Sequence, residues 1–339
     1  MIKLIKRALK VNWKEMLPLL HQMHKESGRG YLDLFFDMYT LYKEEGYTWL
    51  NYPTFGFHLN KDREYRRSFL SEYIDNEIIR DQCVNPAAED LLEDKGIFNK
   101  FFSEFIGREA IDLRWDSFED FENMVQNREV LFLKTPFDHG GHNMERVATK
   151  DIKDVKALYD RLMKSGGYTI EEGVKQHPEM YKLAPKSINT IRTGTNVDRD
   201  GNVHVVYMVL RCSVSDNYMD NTSLGGIWTI LNEDGLIVNP MFANLPTMKT
   251  YEKHPVTGFP FVGFQVPFIP ELKEMVTKAA LKISDCGCVG WDVAITENGP
   301  VIIEGNSIPS VELYQVYTQM PDGKGKVRMM EETLGIKLR

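Results

Sequence analysis

The chain has 339 residues, 42% hydrophobic and 27% charged, long and apolar enough for a sizeable core and more than one domain. That balance excludes a disordered, collagen-like or rod-like protein. A net charge of −8 excludes tracking along a nucleic-acid backbone, which needs a basic footprint, but leaves room for a local phosphate pocket.

No apolar run approaches the roughly 20 residues of a membrane span. The opening MIKLIKRALKVNWKEML is broken by charge every few residues and reads as no signal peptide. Four cysteines (Cys83, Cys212, Cys286, Cys288) in so large a chain fit a reduced cytoplasm.

Residues 1–90 read as a helical N-terminal region. LIKRALKVNWKEMLPLLHQMHKE keeps helical apolar spacing until Pro18. YLDLFFDMYTLYKEE repeats it and ends at Gly46, and REYRRSFLSEYIDNEIIRDQC is a third amphipathic stretch. The aromatic run Tyr47 to Phe57 fits a loop packed on the core or an exposed docking patch. Lys3, Lys6, Arg7 and Lys10 fit a solvated face, or a peripheral contact with an anionic membrane.

Residues 91–178 change texture. EDLLEDKGIFNKFFSEFIG is a helix closed by Gly107. EVLFLKT is a short strand running into the glycine turn PFDHGGHN. A helix near DIKDVKALYDRLMKS and the strand GGYTIEEGV complete a small α/β lobe. Residues 179–339 are strand-rich. Hairpins turn at Asp200-Gly201, Asp234-Gly235 and Asn298-Gly299, and PELKEMVTKAALKIS is an amphipathic helix between the last two. The fold class is therefore α+β.

The last hairpin carries the strongest chemical signal. Glu304 and Asn306 are two residues apart on one strand and share a face. Folding about Asn298-Gly299 lays Asp292 near residue 305, between them. Three oxygen donors without Cys or His suit Mg²⁺; the same residues also fit a solvated sheet edge. Lys134 at a strand end, followed by Gly140-Gly141, fits a phosphate clamp: a point charge beside backbone N–H groups that approach closely. An ordinary loop fits the glycines too. Glu171-Glu172, at the end of a strand, could take a ribose hydroxyl or an adenine amino group. His139 and His142, His21 and His24, and the Cys286/Cys288 pair read as ordinary structural residues, because they lack partners at metal-ligand spacing.

In this order the pieces resemble the ATP-grasp superfamily of carboxylate–amine ligases. They are Asp94-Lys95, Lys134 with Gly140-Gly141, Glu171, and Asp292…Glu304-Gly305-Asn306. QHPEMYKLAPKSINTIRTGT, the segment 220–226, HPVTGF and GWDVAITENGPVIIEGNS narrow the likeness to the sugar-transfer-associated branch. The resemblance implies two α/β lobes clamping ATP, with Lys95 and Lys134 on its phosphates and the Gly140-Gly141 loop closing over them. Lys95 is preferred to Lys100 because it directly follows Asp94. Glu171, Glu172 and the backbone through Val174 would take adenine and ribose. Asp292, Glu304 and Asn306 would bind Mg²⁺. Arg192 and Arg211 would face the γ-phosphate or the acceptor carboxylate.

The implied activity is ATP-dependent ligation of a small-molecule carboxylic acid to an amine through an acyl phosphate, releasing ADP and phosphate, and the branch name points to a polysaccharide or cell-surface sugar pathway. A kinase with a hydroxyl acceptor on the same two lobes is the alternative, and a non-catalytic module docking through the aromatic N-terminal region is a third. Residues 1–90 depart from the α/β domain that precedes the lobes in many members.

Overall fold

The computed structural model describes residues 12–137, 144–214, 225–243 and 249–339. Gly140 and Gly141, Asn221 and the basic residues Lys3 to Lys10 lie outside them.

Two antiparallel sheets organise the chain. The smaller contains β1 (Ala110–Asp112), β2 (Val130–Lys134), β3 (Glu145–Ala148) and β4 (Thr169–Glu172), in the order β1-β4-β2-β3. Alternation along β2 and β4 sends Leu131, Leu133 and Ile170 into a core with Phe121, Met124 and Leu162, on the helices Phe118–Asn127 and Val155–Lys164. Phe132 pairs with Glu171, so these two and Lys134 face the other way.

The larger sheet contains β5 (Ile191–Val197), β6 (Val203–Cys212), β7 (Ile227–Ile230), β8 (Met241–Ala243), β9 (Thr250–Tyr251), β10 (Cys288–Thr296) and β11 (Gly299–Asn306). Its order is β11-β10-β5-β6-β7-β8-β9. One face, with Ile191, Leu210, Trp291, Val293 and Ile295, buries itself against the amphipathic helix Ile269–Lys282. The opposite face at Tyr207, Val209, Trp228 and Cys288 packs against the N-terminal helices and the segment 311–338 in one shared core. Gly194 of the NTIRTGT stretch is required there: a Cβ would lie 2.2 Å from the Tyr207 ring, which stacks on Tyr314 at 4.1 Å.

The N-terminal region is helical, as its periodicity predicts, with two corrections: the third amphipathic stretch forms two helices, Arg63–Arg67 and Asp75–Cys83, and Pro18 does not end the first. The first described helix runs Trp13–Ser27 straight through Pro18. Proline removes one backbone donor near the start of the helix. The burial of Leu19, Leu20 and Met23 beyond it carries the helix on. The aromatic run is core: Tyr47, Tyr52, Phe55 and Phe57 are buried and meet mostly edge to face.

Candidate active site between the two sheets

The β10–β11 hairpin differs from the expected register. Thr296 pairs with Gly299, so Glu297-Asn298 form the tip, and only Gly299 takes a positive φ, of 117°. With that tip an unbroken register would set Asp292 opposite residue 303; a bulge after Asp292 moves its partner to Glu304, one short of the expected 305. Asp292 also pairs directly with Arg192, and Arg192 with Val209, two residues from Arg211. Glu304, Asp292, Arg192 and Arg211 therefore share one face across four strands, with Asn306 two positions beyond Glu304.

Asp292 is buried and accepts hydrogen bonds from Arg192 through Nε and, at 3.0 Å, Nη2. Arg211 Nη2 lies 2.9 Å from the same carboxylate, and its guanidinium also donates to Thr190 Oγ1 at 2.6 and 2.9 Å. Burial would raise the pKa of Asp292; the two guanidiniums overcome that and hold it below the usual carboxylate range. Glu304 behaves oppositely. Burial and the charge of Asp292 push its pKa up. Two adjoining carboxyl groups, one of them driven toward its protonated form, are a pair whose repulsion a bound cation would relieve. With the Asn306 amide they give an all-oxygen donor set that fits Mg²⁺. Among the described residues no three His, Cys, Asp or Glu side chains gather into a metal site, so this set depends on the amide.

Across the cleft, Lys134 Nζ lies 2.7 Å from Glu171 Oε2. Glu171 also accepts from Asn99 Nδ2 at 3.0 Å and from Arg108 Nε at 2.9 Å. Burial alone would raise the pKa of Glu171; Arg108 and Lys134 prevail and lower it to about 2. Arg108 further donates to the carbonyls of Ile302 at 2.8 Å and Ile303 at 3.0 Å, tying the small sheet to β11 next to Glu304.

The structure brings Lys95, Lys134, Glu171, Glu304 and Asn306 together along one cleft, whose outer wall includes Arg80 and Glu89. Asp94 caps the helix Lys95–Phe101 by accepting from the N–H groups of Gly96 and Ile97. Arg114 Nη1 holds Asp94 at 2.6 Å, and Arg114 Nη2 also holds Asp112 at 2.8 Å. Gly96 is obligatory, because a Cβ would sit 2.0 Å from Asp112 Oδ2. Lys100 lies exposed, 6.0 Å over the Trp115 ring, and does not line the cleft.

Glu172, Gly173 and Val174 line a second cavity of about 450 Å³ with Val130, Phe132 and Ile188, within the usual size of a small-ligand pocket. Glu172 Oε2 lies 3.3 Å from Arg128 Nε. Val174 N–H makes no hydrogen bond among the described residues. The chain then crosses to the large sheet, where His177 N–H donates to Ile295 O at 2.7 Å. Arg108, Asn99 and Arg114 were not singled out in the sequence. Arg108 and Asn99 meet Glu171 from 63 and 72 residues away and Arg114 meets Asp94 from 20, so no local pattern marks those contacts.

The profile of the family described as sugar-transfer associated ATP-grasp matches residues 139–333. No curated protein matches the chain. Among solved structures, the ATP-grasp ligase PsnB complexed with a phosphomimetic variant of its minimal precursor, Mg and ADP aligns at 11% identity. It covers 75% of this chain and 57% of that one, with TM-score 0.41. The L-amino acid ligase of Bacillus licheniformis aligns at 12% identity over 68% of this chain and 44% of its own, TM-score 0.42. D-alanyl-alanine synthetase A of Vibrio cholerae O1 biovar eltor aligns at 12% over 71% and 63%, TM-score 0.42. The chain thus spans between 44% and 63% of the length of these structures. Since the profile match runs over more than half of its residues, the chain belongs to the sugar-transfer associated ATP-grasp family.

Proposed function

We propose that the protein is an ATP-dependent ligase that joins a carboxylic acid to an amine through an acyl phosphate, releasing ADP and phosphate. The observation that carries the reading is the Asp292–Glu304 pair with Asn306, set on the same cleft as Lys134 and Lys95. Membership of the ATP-grasp family supports this reaction class, and the family description suggests a sugar-linked substrate.

Charge sets the task. An anionic acid must approach an anionic γ-phosphate, and that repulsion is the first barrier. Lys95 and Lys134 supply positive charge to the phosphates. Glu171 and Arg108 fix Lys134 in place before any ligand arrives, so little reorganisation accompanies binding. Arg192 and Arg211, now on Asp292, are the guanidiniums within the same face that would meet the γ-phosphate or the acid. Mg²⁺ held by Asp292, Glu304 and Asn306 would neutralise and align the phosphate oxygens. The base and ribose would occupy the cavity at Glu172 to Val174, with the free Val174 N–H available to the base edge and Phe132 beneath it. The amine attacks the acyl carbon, the C–O bond to phosphate breaks, and the amine's proton leaves with solvent or a base.

The test is a matrix of acids and amines with ATP, scored by phosphate release and product mass, with hydroxylamine as a surrogate nucleophile. A hydroxamate supports the ligase. A stable phosphoester without hydroxamate establishes the kinase alternative. Absence of ADP release with every pair, together with no nucleotide binding, would return the chain to the non-catalytic reading.

A further inference from the structure

The face of the large sheet that carries the Asp292–Glu304 pair has a second row beside it. Asn306 pairs with Gly290, Gly290 with Gly194, and Gly194 with Tyr207, so these four lie in line across β11, β10, β5 and β6. Each is two residues along its strand from Glu304, Asp292, Arg192 or Val209, and the two rows therefore share one face. Two glycines side by side within a sheet mark a close approach to the backbone.

The ring of Tyr207 makes that approach from one side and Arg192 from the other. A Cβ on Gly194 would lie 2.4 Å from Tyr207 Cζ, so the ring crosses β5. A Cβ on Gly290 would lie 3.4 Å from Arg192 Nη1. Neighbouring strands are about 4.8 Å apart. The tyrosine hydroxyl, one bond beyond Cζ, therefore reaches between β5 and β10 toward that guanidinium. Stacking on Tyr314 at 4.1 Å fixes the ring. Tyr207 is 8% exposed, and its hydroxyl oxygen is buried without a hydrogen-bond partner. Burial pushes its pKa up, so the hydroxyl keeps its proton and can donate. Arg192 commits Nε and Nη2 to Asp292, and its Nη1 makes no hydrogen bond among the described residues.

A buried hydroxyl without a partner opposes folding, and phenylalanine would fill the same volume without that cost. An anionic oxygen seated beside Asn306 would satisfy both donors at once. The cleft extends to this point, since Asn306, Ser307 and Ile308 line it. Pro309 follows and covers Gly290, its Cβ 2.9 Å from where a Cβ on that glycine would stand, which keeps water from the donors.

We infer that Tyr207 is a substrate-contacting residue: with Arg192 Nη1 it donates to the carboxyl oxygen of the acceptor acid that is not phosphorylated. The inference rests on the ligase reading and adds a group to its site. That oxygen is anionic in the free acid and becomes so again when the amine attacks. The C–N bond then forms, the carbonyl π pair moves onto oxygen, and the two donors hold the charge. As the pair returns, the C–O bond to phosphate breaks, phosphate leaves, and the amine's proton passes to solvent or a base.

Tyr207→Phe removes the hydroxyl alone. The full chain and this variant are compared with ATP, Mg²⁺, hydroxylamine and a panel of uronic and amino acids. Hydroxamate turnover should fall by about 10²-fold in the variant. Its affinity for a non-hydrolysable ATP analogue, read by titration calorimetry, should be unchanged, and its ligand-free thermal midpoint unchanged or higher. Native turnover in Tyr207→Phe would overturn the inference and leave the ligase reading standing. A lower thermal midpoint would also overturn it, because the hydroxyl would then be held by the fold or by a buried water. Weaker nucleotide binding would do the same by showing a structural role. No hydroxamate from the native chain with any acid would remove the ligase reading and this inference with it.

Discussion

Arg108→Met tests the electrostatic frame of the cleft most directly. The arginine side chain is 2% exposed and the Glu171 side chain 4%. Its loss removes the donors at 2.9 and 2.8 Å from Glu171 and leaves the carbonyls of Ile302 and Ile303 without theirs. Breaking a buried pair by removing one partner costs about 3–5 kcal/mol. Glu171 has a folded pKa of about 2 against an ordinary 4.5, a gap worth about 3 kcal/mol. Because the folded value lies below the unfolded one, this contribution is complete above the unfolded pKa and disappears as pH falls from about 4.5 through about 2. Arg108→Met should therefore be much less stable than the native protein at neutral pH, and the difference should shrink steadily on acidification. Glu171→Gln in the Arg108→Met background should recover part of the loss, since it removes the buried charge left behind. Urea unfolding followed by tryptophan fluorescence, from about pH 3 to pH 7, measures all four members of the cycle. A loss below about 1 kcal/mol at neutral pH, or additive effects of the two substitutions, would refute the assignment of Arg108 as the counter-ion of Glu171.

Three further outcomes follow from the same geometry. Glu304→Gln should leave ligand-free stability at neutral pH unchanged or higher, since it removes a carboxylate whose ionisation burial and Asp292 disfavour. It should abolish the stabilisation by Mg²⁺ and a non-hydrolysable ATP analogue, worth about 2.7 kcal/mol at a hundred-fold excess over Kd, as read by thermal unfolding. Lys134→Met should lower ATP turnover by about 10²- to 10³-fold with an unchanged far-ultraviolet spectrum, because Arg108 and Asn99 still hold Glu171; native turnover would remove Lys134 from the site. Gly96→Ala should cost roughly 1–3 kcal/mol in denaturant titration, because its Cβ enters the Asp94–Arg114–Asp112 cluster that positions Lys95.

How much of this was legible in advance depended on distance along the chain. Glu304 and Asn306 were readable as neighbours because alternation in a strand is fixed by the backbone. Folding about Asn298-Gly299 placed Asp292 one position off, because the turn forms one residue earlier and a bulge after Asp292 restores only half of that shift, and neither marks the hydrophobic pattern. Asp94 was readable beside Lys95, but its role as the helix cap emerged only with the start of the helix at Lys95. Arg108 was invisible: it precedes its carbonyl partners on β11 by almost two hundred residues.

By itself the sequence determined the helical and strand-rich stretches, the hairpins and the acidic face of the last one, since these follow from periods of 2.0 and 3.6 residues and from turn chemistry within a few positions. Only the tertiary structure decided that residues 311–338 close on the N-terminal helices, that Pro18 is carried inside a helix, and that Lys134 meets Glu171 under the control of Arg108. The reason is that burial and ion pairing are set by which distant segments share a volume, and no local pattern encodes that.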